Sequence, residues 1–246
     1  MTGTAATGDP ADTNDAVWRS GTVARQWATA AGEREKKAAR QWQWMADLLP
    51  FEVDEVFTFV DLGAGTGSAA RAILERYPAS TAVLADFSHE MMAEGAAAMA
   101  GWQDRFRYVE FDLRSGAWPE ELADRFGAVV SSLCIHHLPD ERKAQLFEEI
   151  HDHLVPGGWF VNYDPVTAPD PVAAAAWQRV TNRRDPAAPD RRKNRTPDEQ
   201  LRYENHIRYM SPLDRQLDYL RQAGFEGVDA FWKSTEFVVY GGRRPE

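Results

Sequence analysis

From residue 56 to residue 163 the chain alternates between short apolar runs and stretches of helical period. Residues 56–61, 81–86, 106–111, 126–133 and 159–163 have strand length. The fourth run is continuously apolar at Ala128, Val129 and Val130, as a strand buried on both faces requires. Between these runs, residues 68–77, 89–99 and 140–154 read as helices, the first stopped by Pro78 and the last with Asp140 as its expected N-cap. A short helix is expected after Pro119, and Pro156-Gly157-Gly158 reads as a turn. Strands alternating with helices of this length imply right-handed crossovers and a mainly parallel sheet.

The two ends break the rhythm. Residues 1–15 are small and polar, and a disordered tail is expected there because they bury too little surface to offset chain ordering. A helical stretch over residues 16–50 follows, with possible breaks at Gly21 and Gly32; Trp42, Met45 and Leu49 share one face. This stretch is read as a lid. After Asp164, residues 165–210 hold prolines at 165, 169, 171, 186, 189 and 197 and read as an inserted cap, with helix near 172–181 and 197–204. The alternation resumes with a helix over 212–223, Gly224 as its stop, and two adjacent strands near 227–233 and 236–241.

Composition narrows the function. The chain has 246 residues, 43% hydrophobic, with 28 Lys+Arg against 38 Asp+Glu and a net charge of −10. A globally basic nucleic-acid binder is disfavoured. One cysteine excludes an intramolecular disulfide framework and a multi-thiolate zinc cluster. No apolar run reaches membrane-spanning length and no secretory pattern opens the chain, so a cytoplasmic protein is expected. Over residues 166–210 nine Lys+Arg face six Asp+Glu, so the cap is locally cationic.

The chemistry concentrates where the first strand meets Gly63-Ala64-Gly65-Thr66-Gly67 and then a helix. Glycines allow a sharp turn and a close ligand approach, and the helix N-terminus supplies positive potential. A nicotinamide site wants Gly-x-Gly-x-x-Gly, but here Ser68 holds the third glycine's place. Asp61, just before the loop, would repel a pyrophosphate and suits a ligand with an ammonium group. Asp86 ends the second strand, where a carboxylate accepts hydrogen bonds from ribose hydroxyls. Asp112 follows the third strand. Three successive strands thus deliver an acid to one rim.

With these residues in place, the chain resembles a class I S-adenosylmethionine-dependent methyltransferase of small-molecule type. Val60-Asp61-Leu62-Gly63-Ala64-Gly65-Thr66-Gly67 resembles the first motif, Asp86-Phe87-Ser88-His89-Glu90-Met91 the second, Phe111-Asp112-Leu113 the third and residues 126–133 the fourth. Leu154-Val155-Pro156-Gly157-Gly158 resembles the turn before the fifth strand. The resemblance covers about residues 50–165 and 210–243. It implies a doubly wound α/β fold: a seven-stranded, mostly parallel Rossmann-like sheet with an N-terminal helical lid, a cap inserted before the C-terminal helix and hairpin, and a methyltransferase domain over 51–246. It further implies S-adenosylmethionine as cofactor. Asp61 with Gly63, Ala64, Gly65 and Gly67 would face its amino-acid end. Asp86 would hold the ribose, Asp112 and Leu113 would frame the adenine with Met91 packed against it, and Phe87, Ser131 and Ser132 would also belong to the cofactor site.

Ile135-His136-His137-Leu138-Pro139 follows the fourth strand at the reaction zone, so His136 and His137 are the candidate general bases. Asn162, Tyr163 and Asp164 at the fifth strand's end, His206 in the cap, and Trp18 and Trp27 in the lid are the candidate acceptor-site residues. Cys134 reads as a packing residue, and His151 and His153 as cations at a helix C-terminus. No metal is expected. The expected partner is a small-molecule acceptor, anionic if the cap arginines bind it, with a homodimer possible. The alternatives are a tRNA-modifying methyltransferase or carboxy-S-adenosylmethionine synthase, a nicotinamide oxidoreductase, and an S-adenosylmethionine-binding protein without methyl transfer.

Overall fold

The computed structural model describes residues 31–246 except Gln103, with side chains from Ala38 onward. Helix α1 spans Ala31–Asp47. Strand β1 (Thr58–Leu62) leads to α2 (Ser68–Arg76), β2 (Thr81–Asp86) to α3 (His89–Ala98), and β3 (Phe106–Glu110) to β4 (Phe126–Ser132). Next come α4 (Asp140–His153), β5 (Leu154–Pro165), and the cap helices α5 (Pro171–Arg184), α6 (Ala188–Lys193) and α7 (Pro197–Ile207). The chain closes with α8 (Leu213–Gln222), β6 (Glu226–Ser234) and β7 (Phe237–Arg243).

The seven strands form one sheet in the order β3-β2-β1-β4-β5-β7-β6. All pairs from β3 to β5 are parallel, and β7 runs antiparallel to both its neighbours. Strand order reverses between β1 and β4, the place at which open parallel sheets bind ligands beyond the strands' carboxyl ends. Alternate residues supply two separate cores, as strand geometry dictates. Val60, Leu62, Val129 and Phe160 face α4 and α8 through Leu146, Phe147, Ile150 and Leu220. Phe59, Val130 and Val161 face α1 and α2 through Trp42, Met45, Ile73 and Leu74.

Two expectations change in detail, and a third falls only partly within the described residues. The segment expected to act as a lid over residues 16–50 is described only from residue 31, and Trp42, Met45 and Leu49 are buried in the sheet-packing layer. Tyr77 anchors this end by donating its hydroxyl to the carbonyls of Ala46 (2.9 Å) and Leu49 (3.1 Å). Trp18 and Trp27 lie outside the described residues. Pro156-Gly157-Gly158 forms a bulge within β5, because Phe126 pairs with Leu154 and Ala128 with Trp159. Pro139, not Asp140, occupies the N-cap of α4, so Asp140 sits in the first turn. Among the described residues, no helix is long and apolar enough to cross a membrane.

Candidate active site

The glycine loop is built by φ values that side chains resist: +67° at Gly63, +53° at Gly65 and +75° at Gly67. Gly63 is also closed sterically, since a Cβ there would lie 2.0 Å from Cys134 Sγ. Four loop N–H groups, those of Gly63, Ala64, Gly65 and Gly67, are engaged internally. Gly63 and Ala64 donate to the Ala85 carbonyl (2.8 and 3.1 Å), Gly67 donates to Ala64 (2.8 Å), and Gly65 donates to Asp86 Oδ2 (2.8 Å). This loop is therefore an acid-lined turn rather than a nest of free donors.

Two buried carboxylates flank it. Asp61 is 1% exposed, and its Oδ2 has no hydrogen-bond partner. Burial lifts its carboxyl to about 8, against the lowering effect of the Ala70 backbone N–H. A buried, unsatisfied acceptor of this kind is poised for a cationic donor. Asp86 is raised by burial too, while the backbone N–H groups of Ser88 and Gly65 hold it down. Met91, on α3, packs against the loop at Gly65. Phe87 lies in the turn after β2.

The remaining rim residues expected at the cofactor have visible partners. Asp112 accepts from the Arg114 backbone N–H at 3.0 Å and from Arg114 Nε at 2.9 Å. Leu113 is buried, with its carbonyl on Arg142 Nε at 2.7 Å. Ser131 and Ser132 point to opposite layers. Ser131 donates to the Leu62 carbonyl at 2.7 Å, tying β4 to β1, and Ser132 Oγ takes the Trp42 indole N–H at 2.8 Å. After them the chain passes through Leu133 at φ +56°, a strained conformation just beyond the carboxyl end of β4.

The histidines beyond Leu133 meet residues distant in sequence. Asp164, at the end of β5, accepts the His136 backbone N–H on Oδ2 (2.8 Å) and lies 2.7 Å from His136 Nδ1 through Oδ1. His136 Nε2 lies 3.2 Å from Nδ1 of His206, which arrives on α7. The His136 and His137 rings are 3.9 Å apart, and the His137 and His206 rings 5.8 Å apart. Burial pushes the imidazoles of His136 and His137 well below their usual range and lifts the Asp164 carboxyl to about 7. His136 is 2% exposed, whereas His206 keeps an exposed edge.

Of the other acceptor candidates, Asn162 joins this cluster: Nδ2 donates to the Tyr240 hydroxyl at 2.8 Å and approaches Asp164 Oδ2 at 3.5 Å. Tyr163 turns to the opposite layer, against Trp232 and Phe237. His153 stacks on Trp118 with centroids 3.8 Å apart, away from the site.

Sequence reasoning missed two supports. Lys143, fully buried, donates to Ser211 Oγ at 2.6 Å and to the Tyr209 carbonyl, linking α4 to the segment after the cap. Tyr108 donates to the Gly65 carbonyl at 2.8 Å, filling the space left by Gly95 and steadying the loop from β3. The pair of Gly95 and an inward tyrosine was a usable signal only once α3 and β3 were known to touch.

The cap encloses a cleft of about 1260 Å³ lined by β5, α5, α6 and α7, with His206 in its wall. Arg192 and Arg195 line it, held by the amides of Asn182 and Gln200, and Arg195 stacks over Tyr203 at 3.7 Å. Arg191 is paired with Asp185.

Sheet order, glycine loop and rim acids together define the class I methyltransferase fold. Residues 59–158 match the family model for a methyltransferase domain. The chain is 33% identical over 135 residues to a trans-aconitate 2-methyltransferase from Azoarcus sp. (strain BH72), covering 54% of this chain and 47% of that protein. A Deinococcus radiodurans protein of the same name is 30% identical over 99 residues, 40% of this chain and 34% of the relative. The chain thus spans less than half the length of these curated relatives. Human N-acetylserotonin methyltransferase in complex with SAM superposes with a TM-score of 0.61 at 19% identity, over 94% of this chain and 58% of that one. At that identity the likeness shows the shared fold.

Proposed function

We propose that the chain binds S-adenosylmethionine along the carboxyl edge of β1, β2 and β3 and transfers its methyl group to a small anionic acceptor seated under the cap. The observation that carries this reading is the buried Asp61 carboxyl, with Oδ2 left without a partner, beside a glycine loop most of whose own N–H groups are engaged. Such a site favours a ligand carrying ammonium and sulfonium charge over a pyrophosphate. Asp61 would hold the cofactor's ammonium group and Asp86 its ribose. When bound, the cofactor supplies an electrophilic methyl group for in-line displacement.

The acceptor side is assigned on the cap. Arg192 and Arg195 present cationic guanidinium groups to the cleft and suit a carboxylate. The relatives named for trans-aconitate, a carboxylate, support that class. A carboxylate oxygen accepts methyl with no proton to lose; for an acceptor of this class methylated on a hydroxyl, His206 takes the hydroxyl proton. The tautomers that satisfy the cluster place a proton on His136 Nδ1, donated to ionised Asp164, and one on His206 Nδ1, donated to His136 Nε2. His206 Nε2 is then a lone-pair acceptor. His136, buried, acts as a positioning residue through His206.

Calorimetry with S-adenosylhomocysteine tests the cofactor assignment. Asp61→Asn and Asp86→Ala should each weaken binding by about tenfold to a hundredfold, from the loss of a hydrogen bond to a charged group. A wild-type chain that binds no S-adenosylhomocysteine would sink the reading.

A further inference from the structure

The sequence offers no thiolate cluster and no spaced histidine motif of the kind that announces a metal site. The fold nevertheless brings three imidazoles to one point. One nitrogen from each of His136, His137 and His206 can be chosen so that all three lie within 4.8 Å of one another. Two of them, His136 Nε2 and His206 Nδ1, are 3.2 Å apart. Two nitrogens bound to one tetrahedral zinc ion at about 2.05 Å are separated by about 3.3 Å. We propose that His136, His137 and His206 form a binding site for a divalent transition-metal ion of the zinc class.

Three further features fit a metal site. Asp164 Oδ1 lies 2.7 Å from His136 Nδ1, so the carboxylate fixes the ring with its Nε2 turned toward the cluster. A carboxylate behind a ligating imidazole is the usual outer partner of metal-bound histidine. His136 and His137 come from one rigid turn at the end of β4, the 3-10 turn Ile135–His137. His206 comes from the cap and lines its cleft. Three protein nitrogens leave a fourth position for a water or a substrate oxygen, and His206, which lines the cleft, is the ligand nearest to where an acceptor would sit.

Binding needs one rearrangement. His206 moves its proton from Nδ1 to Nε2, gives up the hydrogen bond to His136, and presents Nδ1 to the ion. No net proton is released, and no oxidant or reductant is involved. In this state His206 no longer accepts a proton from the acceptor. The ion ties α7 to the end of β4, so it also clamps the cap onto the sheet.

The test uses the full chain with any purification tag removed. Zinc binding is followed by calorimetry, and Co(II) serves as an optical probe of coordination. One equivalent per chain is expected, with a visible absorption band of a low-coordinate cobalt ion. His206→Ala and His137→Ala should each weaken binding about tenfold or more, and Asp164→Asn about tenfold. His153→Ala, at a histidine stacked on Trp118, should leave it unchanged. His206 lies on an exposed cap helix, so its variant should fold, and a circular dichroism melt checks this. Zinc should raise the Tm of the wild type but not of His206→Ala. Absence of stoichiometric uptake overturns the proposal, as does uptake that survives both His206→Ala and His137→Ala. S-adenosylhomocysteine calorimetry on the same preparation separates the two readings. Cofactor binding without metal uptake overturns only the metal site, and triad-dependent uptake without cofactor binding overturns only the cofactor assignment.

Discussion

Asp164 grips His136 twice, taking its backbone N–H at 2.8 Å on one oxygen and lying 2.7 Å from its ring nitrogen with the other. The double contact fixes both the turn after β4 and the orientation of the ring. Asp164→Asn keeps the shape but cannot hold the same tautomer as a carboxylate. We expect the turnover number for methyl transfer to fall by about 10²- to 10³-fold, the range of a disabled general base. The affinity for S-adenosylhomocysteine should stay within about twofold. Steady-state kinetics beside calorimetry separates the two effects, and equal loss in both would mean that the site has collapsed.

Cofactor affinity should depend on pH through Asp61. Its carboxyl stays protonated up to about pH 8 in the free chain. A ligand ammonium favours the ionised form, so binding below that pH releases a proton. Affinity for S-adenosylhomocysteine should rise by up to about tenfold per pH unit from about 6 to about 8, then level off. Calorimetry in buffers of different ionisation enthalpy measures the released proton. Asp61→Asn should flatten the slope. Stability of the unliganded chain runs the other way. The unfolded carboxyl ionises near its ordinary 3.8, the folded one near 8, so this group's contribution falls as pH climbs between those values.

Gly63 should be intolerant of any side chain. Its φ of +67° and the 2.0 Å approach of Cys134 Sγ to a hypothetical Cβ combine strain with overlap. Gly63→Ala should lower stability by about 2–3 kcal/mol. Adding Cys134→Gly should relieve the overlap and leave the backbone strain, about 1 kcal/mol. Urea midpoints for the double-mutant cycle give the coupling.

Lys143 should act as a tie rather than a surface charge. Lys143→Met keeps the stem and removes the donors that reach Ser211 and Tyr209. The expected loss is about 3 kcal/mol. Hydrogen exchange should speed up at residues 209–211, while α2 stays protected. Equal loosening of α2 would show that the tie is not local.

The frame of the site was legible because its signals are local. Strand, glycine loop and helix follow one another at residues 58–76, and Asp86 ends β2 as the pattern requires. Ser131 and Ser132 illustrate a limit: a motif places them together, but a strand sends them to opposite layers, and only the partners Leu62 and Trp42 reveal which is which. Lys143 was invisible for a different reason. It sits in a charged run, Asp140-Glu141-Arg142-Lys143, and its burial depends on groups 66 and 68 residues away. His206 pairs with His136 across 70 residues, a contact no window of sequence contains. The cap helix α6 was missed because Pro189 and its flanking arginines read as loop.

The cap leaves and rejoins the sheet at a single neck. Thr167 donates its N–H to the Ser211 carbonyl at 3.1 Å, and Thr167 bridges Pro212. Between those points α5 carries its own Asp170 cap and α7 its own Thr196–Glu199 capping box. A segment whose ends touch can be lengthened, shortened or replaced without shifting the strands beneath it. If the cap seats the acceptor, as proposed above, acceptor choice can be revised within this one cassette, provided the His206 that meets His136 is kept.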